Sequence, residues 1–262
     1  MINQSISAAA LHPAHNSTQI TKPIPKSLSE VVESQLIVNF SQDPGEIYRA
    51  QLLRARVFNL NSNEAGLDKD QFDDICLHLI VKDSLSNSIV GYSRILTSDM
   101  ISQISDFYTA SEFIIDSIIK PNQRYMEIGR TCVDPNYRSG AVIGLLWLKM
   151  GQFMNEQKID YLMGCASISI QDGGATAIAI VNHLRDNHFT PTNLRVEPKA
   201  PLPQFAINID GKKHIPPLLK TYLRMGAKVC GEAFIDYDFN AADVVILLAK
   251  KDIKPRYLRH FS

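Results

Sequence analysis

The stretch that most constrains this chain runs from Tyr125 to Trp147, YMEIGRTCVDPNYRSGAVIGLLW. Tyr125 to Val133 alternates as a strand does, with Tyr125, Glu127 and Gly129 set against Met126, Ile128 and Arg130. Asp134-Pro135-Asn136 ends it as a turn. From Gly140 to about Glu156 the apolar residues return at helical spacing. A strand feeding a helix through a tight turn requires layered packing, because the strand needs sheet neighbours and the helix needs a face to cover. It also fixes the place of an acid and a base three residues apart, Glu127 and Arg130, next to a turn that holds Arg138.

The remaining pattern agrees with one α/β domain around a mixed central sheet with flanking helices. Asp43 is placed as an N-cap and Pro44 at the first position of a helix running to about Phe58. The polar run NLNSNEAGLDKDQFDD follows as a loop beside a site. Leu77 to Val81 and Ile89 to Leu96 read as strands joined by SLSNS, and residues 101–120 as partly helical. Tyr161 to Ala166 is a short apolar strand, and Gly173 to about Asn187 a helix with Ile178, Val181 and Leu184 on one stripe. Pro216 opens a helix that Gly226 closes, and Lys228 to Ile235 and Val244 to Ala249 are the last strands. The domain is expected over residues 39–262. Residues 1–38, rich in Ser, Ala, His, Asn and Pro, are expected to be a poorly ordered extension.

Composition excludes several classes. Basic and acidic residues number 27 each, so bulk charge points to no nucleic-acid partner. No run approaches the ~18 apolar residues of a membrane span, and the N-terminal tract lacks the basic and apolar regions of a secretory signal. A cytoplasmic location is expected, with any contact to the inner membrane peripheral. A pore-forming hemolysin should show an export signal or an alternating membrane segment, and neither is evident. Cys76, Cys132, Cys165 and Cys230 are scattered without ligand spacing, which reads as buried thiols and no metal site. His183, His188, His214 and His260 accompany no nucleophile elbow, which argues against a covalent triad. From Arg185 to Lys228, eight Lys or Arg stand against three Asp or Glu, either a basic face for an acidic partner or a solvated surface.

The candidate site residues leave alternatives open. Period two puts Glu127 and Arg130 on opposite faces unless a bulge near Gly129 rotates one of them. Glu127 then either orients or deprotonates an amine, with burial raising its pKa, or forms a structural ion pair with Arg94 or Arg56. Arg138, Ser139 and Gly140 precede a helix N-terminus, which either receives a phosphate or is simply capped by Ser139 or Asn136. Asp70, Asp73 and Asp74 lack the Gly and Glu of a calcium loop. They are a solvated loop, partners for Arg54, Arg56 or Arg94, or a seat for a substrate ammonium. Asp172 and Asp243 are less suggestive.

GLDKDQFDDICLHLIVKD, IVGYSRIL, the Tyr125 to Trp147 stretch, YLMGCASISIQDGG, RVEPKAPLP and the run from PPLLKTYLRMGAKV to the C-terminus together resemble the L-ornithine N-α-acyltransferases of bacterial ornithine-lipid synthesis. The resemblance spans about Asp43 to the end of the chain. That family, sometimes labelled hemolysin-like, is similar in fold to GNAT acyltransferases and to acyl-homoserine-lactone synthases. Arg54 and Phe58 match the synthases' R-x-x-x-F helix, Asp70 and Asp73 their D-x-x-D loop, Arg94 their strand arginine, and Glu127 and Arg130 their E-x-x-R strand. The synthases' N-terminal tryptophan has no counterpart, which argues against lactone formation.

The resemblance implies a GNAT-like fold and transfer of a 3-hydroxyacyl chain from acyl carrier protein to the α-amine of ornithine, by direct attack in a ternary complex. It makes Glu127, Arg130 and Arg94 catalytic, and Asp70, Asp73, Arg54 and Phe58 substrate-binding. Strands Tyr125 to Val133 and Tyr161 to Ala166 would splay around the pantetheine. An amide among Thr131, Cys132 and Val133 would meet the oxyanion, and Arg138, Ser139 and Gly140 the phosphate. No cofactor or metal is implied. A coenzyme A donor, and an N-acyl amino-acid or autoinducer-type synthase, are the neighbouring alternatives.

Overall fold

A computed structural model describes residues 35–59 and 66–254. Most of the extension expected over residues 1–38 lies outside the described residues, as do residues 60–65 of the polar loop and His260.

The chain begins its sheet with β1 (Leu36–Ser41), a strand the sequence reading did not place, and turns into α1 (Pro44–Phe58). The Asp43 carboxylate accepts the Glu46 N–H at 2.7 Å, so the expected N-cap is in place. β2 (Leu77–Asp83) and β3 (Ile89–Thr97) form a hairpin. Only a short helix, α2 (Thr109–Glu112), with β4 (Phe113–Ile114), lies between 3₁₀ turns and β5 (Tyr125–Val133). Then follow α3 (Ala141–Glu156), β6 (Tyr161–Ser169), α4 (Ala175–Asn187), β7 (Glu197–Pro198), α5 (Gly211–His214) and α6 (Pro217–Met225). The strand expected over Lys228 to Ile235 is two pieces, β8 (Lys228–Val229) and β9 (Phe234–Asp236), with Gly231 at φ +133° between them. β10 (Ala241–Ala249) closes the order.

The main sheet runs β1-β2-β3-β5-β6-β10-β8, with β9 also on β10, while β4 and β7 pair separately. Every neighbouring pair in it is antiparallel except β5 and β6, which run parallel at its centre. Parallel neighbours need a crossover helix, and α3 supplies it, which is why Tyr125 to Trp147 constrains the whole architecture. α3, α4 and α6 cover one face, packing Leu146, Met150, Ile178, Val181 and Leu219 on Met126, Ile128, Leu162, Val244 and Ile246. The opposite face is covered at one end by α1, over Ile80, Tyr92 and Cys132. Phe107, Phe113 and Ile118 cover its other end, over Leu96, Tyr125, Met163 and Val245. Among the described residues no helix is long and apolar enough to cross a membrane.

Candidate active site

β5 and β6 stay in register only from Tyr125↔Tyr161 to Glu127↔Met163 and then part. At the parting, Gly164 carries no side chain that could fit, since a Cβ there would stand 2.3 Å from the Ile128 carbonyl oxygen. Beyond it a cavity of ≈ 290 Å³ opens between Ile128 to Thr131 on β5 and Cys165 to Ser167 on β6. On its other side β5 carries the bulge that the sequence left open. Arg94 faces Gly129 and Tyr92 faces Cys132, so Arg130 and Thr131 together oppose Ser93. Arg130 absorbs the extra residue at φ +53°. The bulge resets the alternation and places Glu127, Arg130 and Cys132 on the α1-side face. Thr131, on the other face, bonds Ser93 through the two hydroxyls at 2.9 Å.

Arg54, Arg94 and Arg130 do not stand free in this cavity. Arg54 is fully buried and grips Asp73 with two nitrogens and Asp68 with a third, at 2.8 Å. Arg94 reaches Asp70 at 2.5 Å and Asp73 at 3.3 Å. Arg130 reaches Asp68 at 3.1 Å and Asp70 at 3.2 Å. Three arginines and three carboxylates therefore form one neutral lattice. Aromatic rings back it, with Arg54 over Tyr92, Arg94 over Phe72 and Arg130 over Tyr108 and Phe239. Burial works to raise the Asp73 pKa, but the bonds and charges of Arg54 and Arg94 outweigh it and hold the carboxyl below its ordinary range.

The loop carboxylates Asp70 and Asp73, a possible ammonium seat by sequence, are thus bonded to arginines and stand behind the cavity wall with Arg54. Phe58, Arg94, Glu127, Arg130 and Thr131 line the cavity itself. Asp68, which the sequence reading passed over, holds two of the three arginines. Its signal was its place in the same DKDQFDD run. Asp74 pairs with Lys69 at the surface, and Arg56 with Asp134.

Glu127 makes neither of the ion pairs considered for it. It is 4% exposed and accepts the Tyr108 and Thr109 N–H groups at 2.7 Å, and the Thr109 hydroxyl. Those donors favour its ionised form, yet burial prevails and its pKa is raised. Glu127 therefore pins the segment that leads to Glu112. Below that segment, β9 and β10 contribute Asp236 and Asp243 to the cavity lining. Glu112, Asp236 and Asp243 offer carboxylate oxygens within 4.8 Å of one another. Burial, then the neighbouring negative charge, pushes Glu112 up, and burial does the same to Asp243. Asp243 was set aside on sequence. Its signal was a lone Asp inside the otherwise apolar, buried strand Ala241–Ala249.

The turn after β5 keeps a helix end open. Asp134 accepts the Asn136 N–H, so neither Asn136 nor Ser139 caps α3. Its N-cap is Gly140, at φ +101°, a conformation that L residues rarely hold, and no side chain bonds the first turn among the described residues. Arg138 lies exposed beside it, its Nε on the Val133 carbonyl at 3.3 Å. First-turn N–H groups at such a helix start can receive an anion. The four cysteines are free. Cys132 is packed under α1, and Cys165 lines the cavity with a thiol that burial holds well above its usual range.

Residues 53–148 match the model of the acetyltransferase (GNAT) domain, in keeping with the mixed sheet and its parting parallel strands. The chain is 33% identical to the L-ornithine N(alpha)-acyltransferase of Rhizobium meliloti (strain 1021), over 93% of this chain and 90% of that protein. It is 31% identical to the L-ornithine N(alpha)-acyltransferase of Brucella abortus (strain 2308), over 87% of this chain and 89% of that one. Among solved structures, an N-acyl amino acid synthase from uncultured soil microbes superposes with a TM-score of 0.49 at 12% identity, over 84% of this chain and 93% of that one. The chain is an acyltransferase and belongs to the L-ornithine N(alpha)-acyltransferase family.

Proposed function

We propose that this enzyme moves a 3-hydroxyacyl chain from the phosphopantetheine of acyl carrier protein to the α-amine of L-ornithine, giving a lyso-ornithine lipid. The observation that carries the reading is the parting of β5 and β6 beyond Glu127 and Met163, with the uncapped end of α3 next to it. Unpaired strand edges at the parting can bond the amides of a pantetheine arm. The α3 N-terminus, with Arg138, Ser139 and Gly140, takes its phosphate.

The α-ammonium gives its proton to Glu127, directly or through water, and the amine nitrogen attacks the thioester carbon. The bulged β5 backbone near Thr131, Cys132 and Val133 offers an amide to the oxygen that gains charge. Collapse of the tetrahedral intermediate breaks the C–S bond, and the leaving thiolate takes up the proton that the nitrogen sheds as the amide forms. Arg94 and Arg130, locked in the aspartate lattice, keep β3, β5 and the cavity wall in one geometry. Arg54 and Phe58, Asp70 and Asp73 support acceptor binding from behind or beside that wall. No step needs an acyl-enzyme, and the protonated Cys165 thiol suits that. The basic surface from Arg185 to Lys228 suits an acidic carrier protein.

The test supplies purified enzyme with 3-hydroxyacyl-carrier protein or 3-hydroxyacyl-coenzyme A, and ornithine and lysine together, and reads products by mass spectrometry. A phosphate-free N-acylornithine formed from the carrier-protein donor supports the reading. Transfer confined to coenzyme A, or to another amino acid, would replace donor or acceptor.

A further inference from the structure

The positive side chains around the cavity are already matched, whereas several of its carboxyl groups have no cationic partner among the described residues. Arg94 and Arg130 line the cavity, but with Arg54 they are balanced by Asp68, Asp70 and Asp73. What remains is acidic: Glu127 on β5, Asp236 at the end of β9, Asp243 on β10 and Glu112 behind them. Asp243 is 3% exposed and lines the cavity, yet its Oδ1 has no hydrogen-bond partner among the described residues. Glu112, also 4% exposed, leaves its Oε2 in the same condition. Asp236 is better provided, its Oδ1 accepting the Asp238 N–H at 2.9 Å and the Phe239 N–H at 3.1 Å. Groups packed nearby do not neutralise the set. Ser167, Tyr108 and Cys165 offer only neutral side chains, and the influence of Arg130 on Asp243 is smaller than that of burial.

Leaving buried carboxylate oxygens without donors is costly, and a ligand that brings donors and a positive charge recovers that cost. Apolar lining from Phe58, Phe72 and Phe239, on the face of the sheet that Asp243 shares, suits a short aliphatic chain that ends in the charge. An alkylammonium brings three N–H donors, matching three carboxylates gathered within 4.8 Å. We propose that Asp243, with Asp236 and Glu112, forms the subsite for the side-chain ammonium of a diamino-acid acceptor and sets specificity for it. This rests on the acyltransfer reading above. The α-amine is then directed toward the parting of β5 and β6, and the distal amine is held down at β9 and β10. A diamino acid is acylated at one end because its other end is occupied.

The test compares ornithine with 2-aminopentanoate, the same skeleton without the terminal amine, in steady-state transfer by wild type, Asp243→Asn and Glu112→Gln. Wild type should prefer ornithine by on the order of 10²-fold in kcat/KM, since a site built for a buried ion pair rejects the analogue lacking it. Asp243→Asn should raise the ornithine KM and cut that preference by about tenfold or more, while 2-aminopentanoate is used at nearly the wild-type rate. In thermal melts ornithine should stabilise wild type and not the folded Asp243→Asn protein, a readout independent of turnover. An unchanged preference in both variants, or equal losses on both amino acids, would overturn the subsite. So would loss of ornithine use on chelation with recovery on adding a divalent metal, which would assign the carboxylates to an ion. Wild type that acylates no amino acid overturns the acyltransfer reading instead, so the two failures are told apart.

Discussion

Arg54 exchanges all of its contact with water for Asp68, Asp73 and the face of Tyr92. Removing one partner from such a buried set leaves charges uncompensated, so Arg54→Ala should destabilise the fold by about 3–5 kcal/mol, read by denaturant unfolding. Glu127 is tied differently, by two N–H groups and a hydroxyl. In Glu127→Gln one oxygen becomes an NH₂ that meets donors instead of acceptors. Stability should fall by about 1–3 kcal/mol. Turnover of the folded variant should fall by on the order of 10²-fold if the carboxylate takes the amine proton. Near wild-type turnover, measured at saturating ornithine and donor, would leave Glu127 with a positioning role alone.

At the scale of elements, two features of the β5–α3 unit can be tested apart. Gly164 lets β6 pass the Ile128 carbonyl, whose oxygen would stand 2.3 Å from any Cβ at that position, just where the strands begin to part. Gly164→Ala should push them apart too early and cost about 1–3 kcal/mol, seen as a lower thermal midpoint. The α3 terminus has a binding role in the proposed function rather than a packing one. Arg138 is exposed, and its Nε donates to the Val133 carbonyl. Arg138→Ala should therefore keep the thermal midpoint, raise the donor KM by about tenfold and change kcat less, as loss of a charge-assisted phosphate contact does.

Taken as a whole, the molecule carries two opposed acid–base populations. Asp73 has a lowered pKa, so it contributes stability above the ordinary carboxylate range that is lost as pH falls through its folded value. Glu112 and Asp243 are raised, so the folded state holds their protons longer than the unfolded chain does. Their contribution is favourable at low pH and erodes as pH rises from about 4, through about 6 for Asp243 and about 8 for Glu112. Without substrate, the gap in thermal midpoint between Asp243→Asn and wild type should widen in favour of the variant between about pH 4 and 6 and level off above that. A gap independent of pH would remove the buried charge as its cause.

How much could be read in advance follows from which interactions are local. Asp43 and Pro44 start α1 by bonds within one turn, and Tyr125 to Val133 and Ala141 to Glu156 declare themselves by period. The strand–turn–helix unit and an α/β domain around a mixed sheet were therefore legible, whereas the GNAT-like fold and the grouping of Glu127, Arg130, Arg94 and Phe58 came from the resemblance of the motifs. β1 was hidden because Leu36–Ser41 is a strand only through its pairing with β2. Partner choice among charges was also invisible, since Asp68 meets Arg54 and Arg130 across separations of 14 and 62 residues. The sequence alone determined the periodicities, the N-cap of α1, and the presence of an acid and an arginine beside a helix start. Only the tertiary structure decided that Arg130 bulges, that Asp70 and Asp73 are occupied by arginines, and that Asp243, Asp236 and Glu112 meet in the cavity. The reason is physical: burial and opposite charge act through space, and a chain records its neighbours in space only after it has folded.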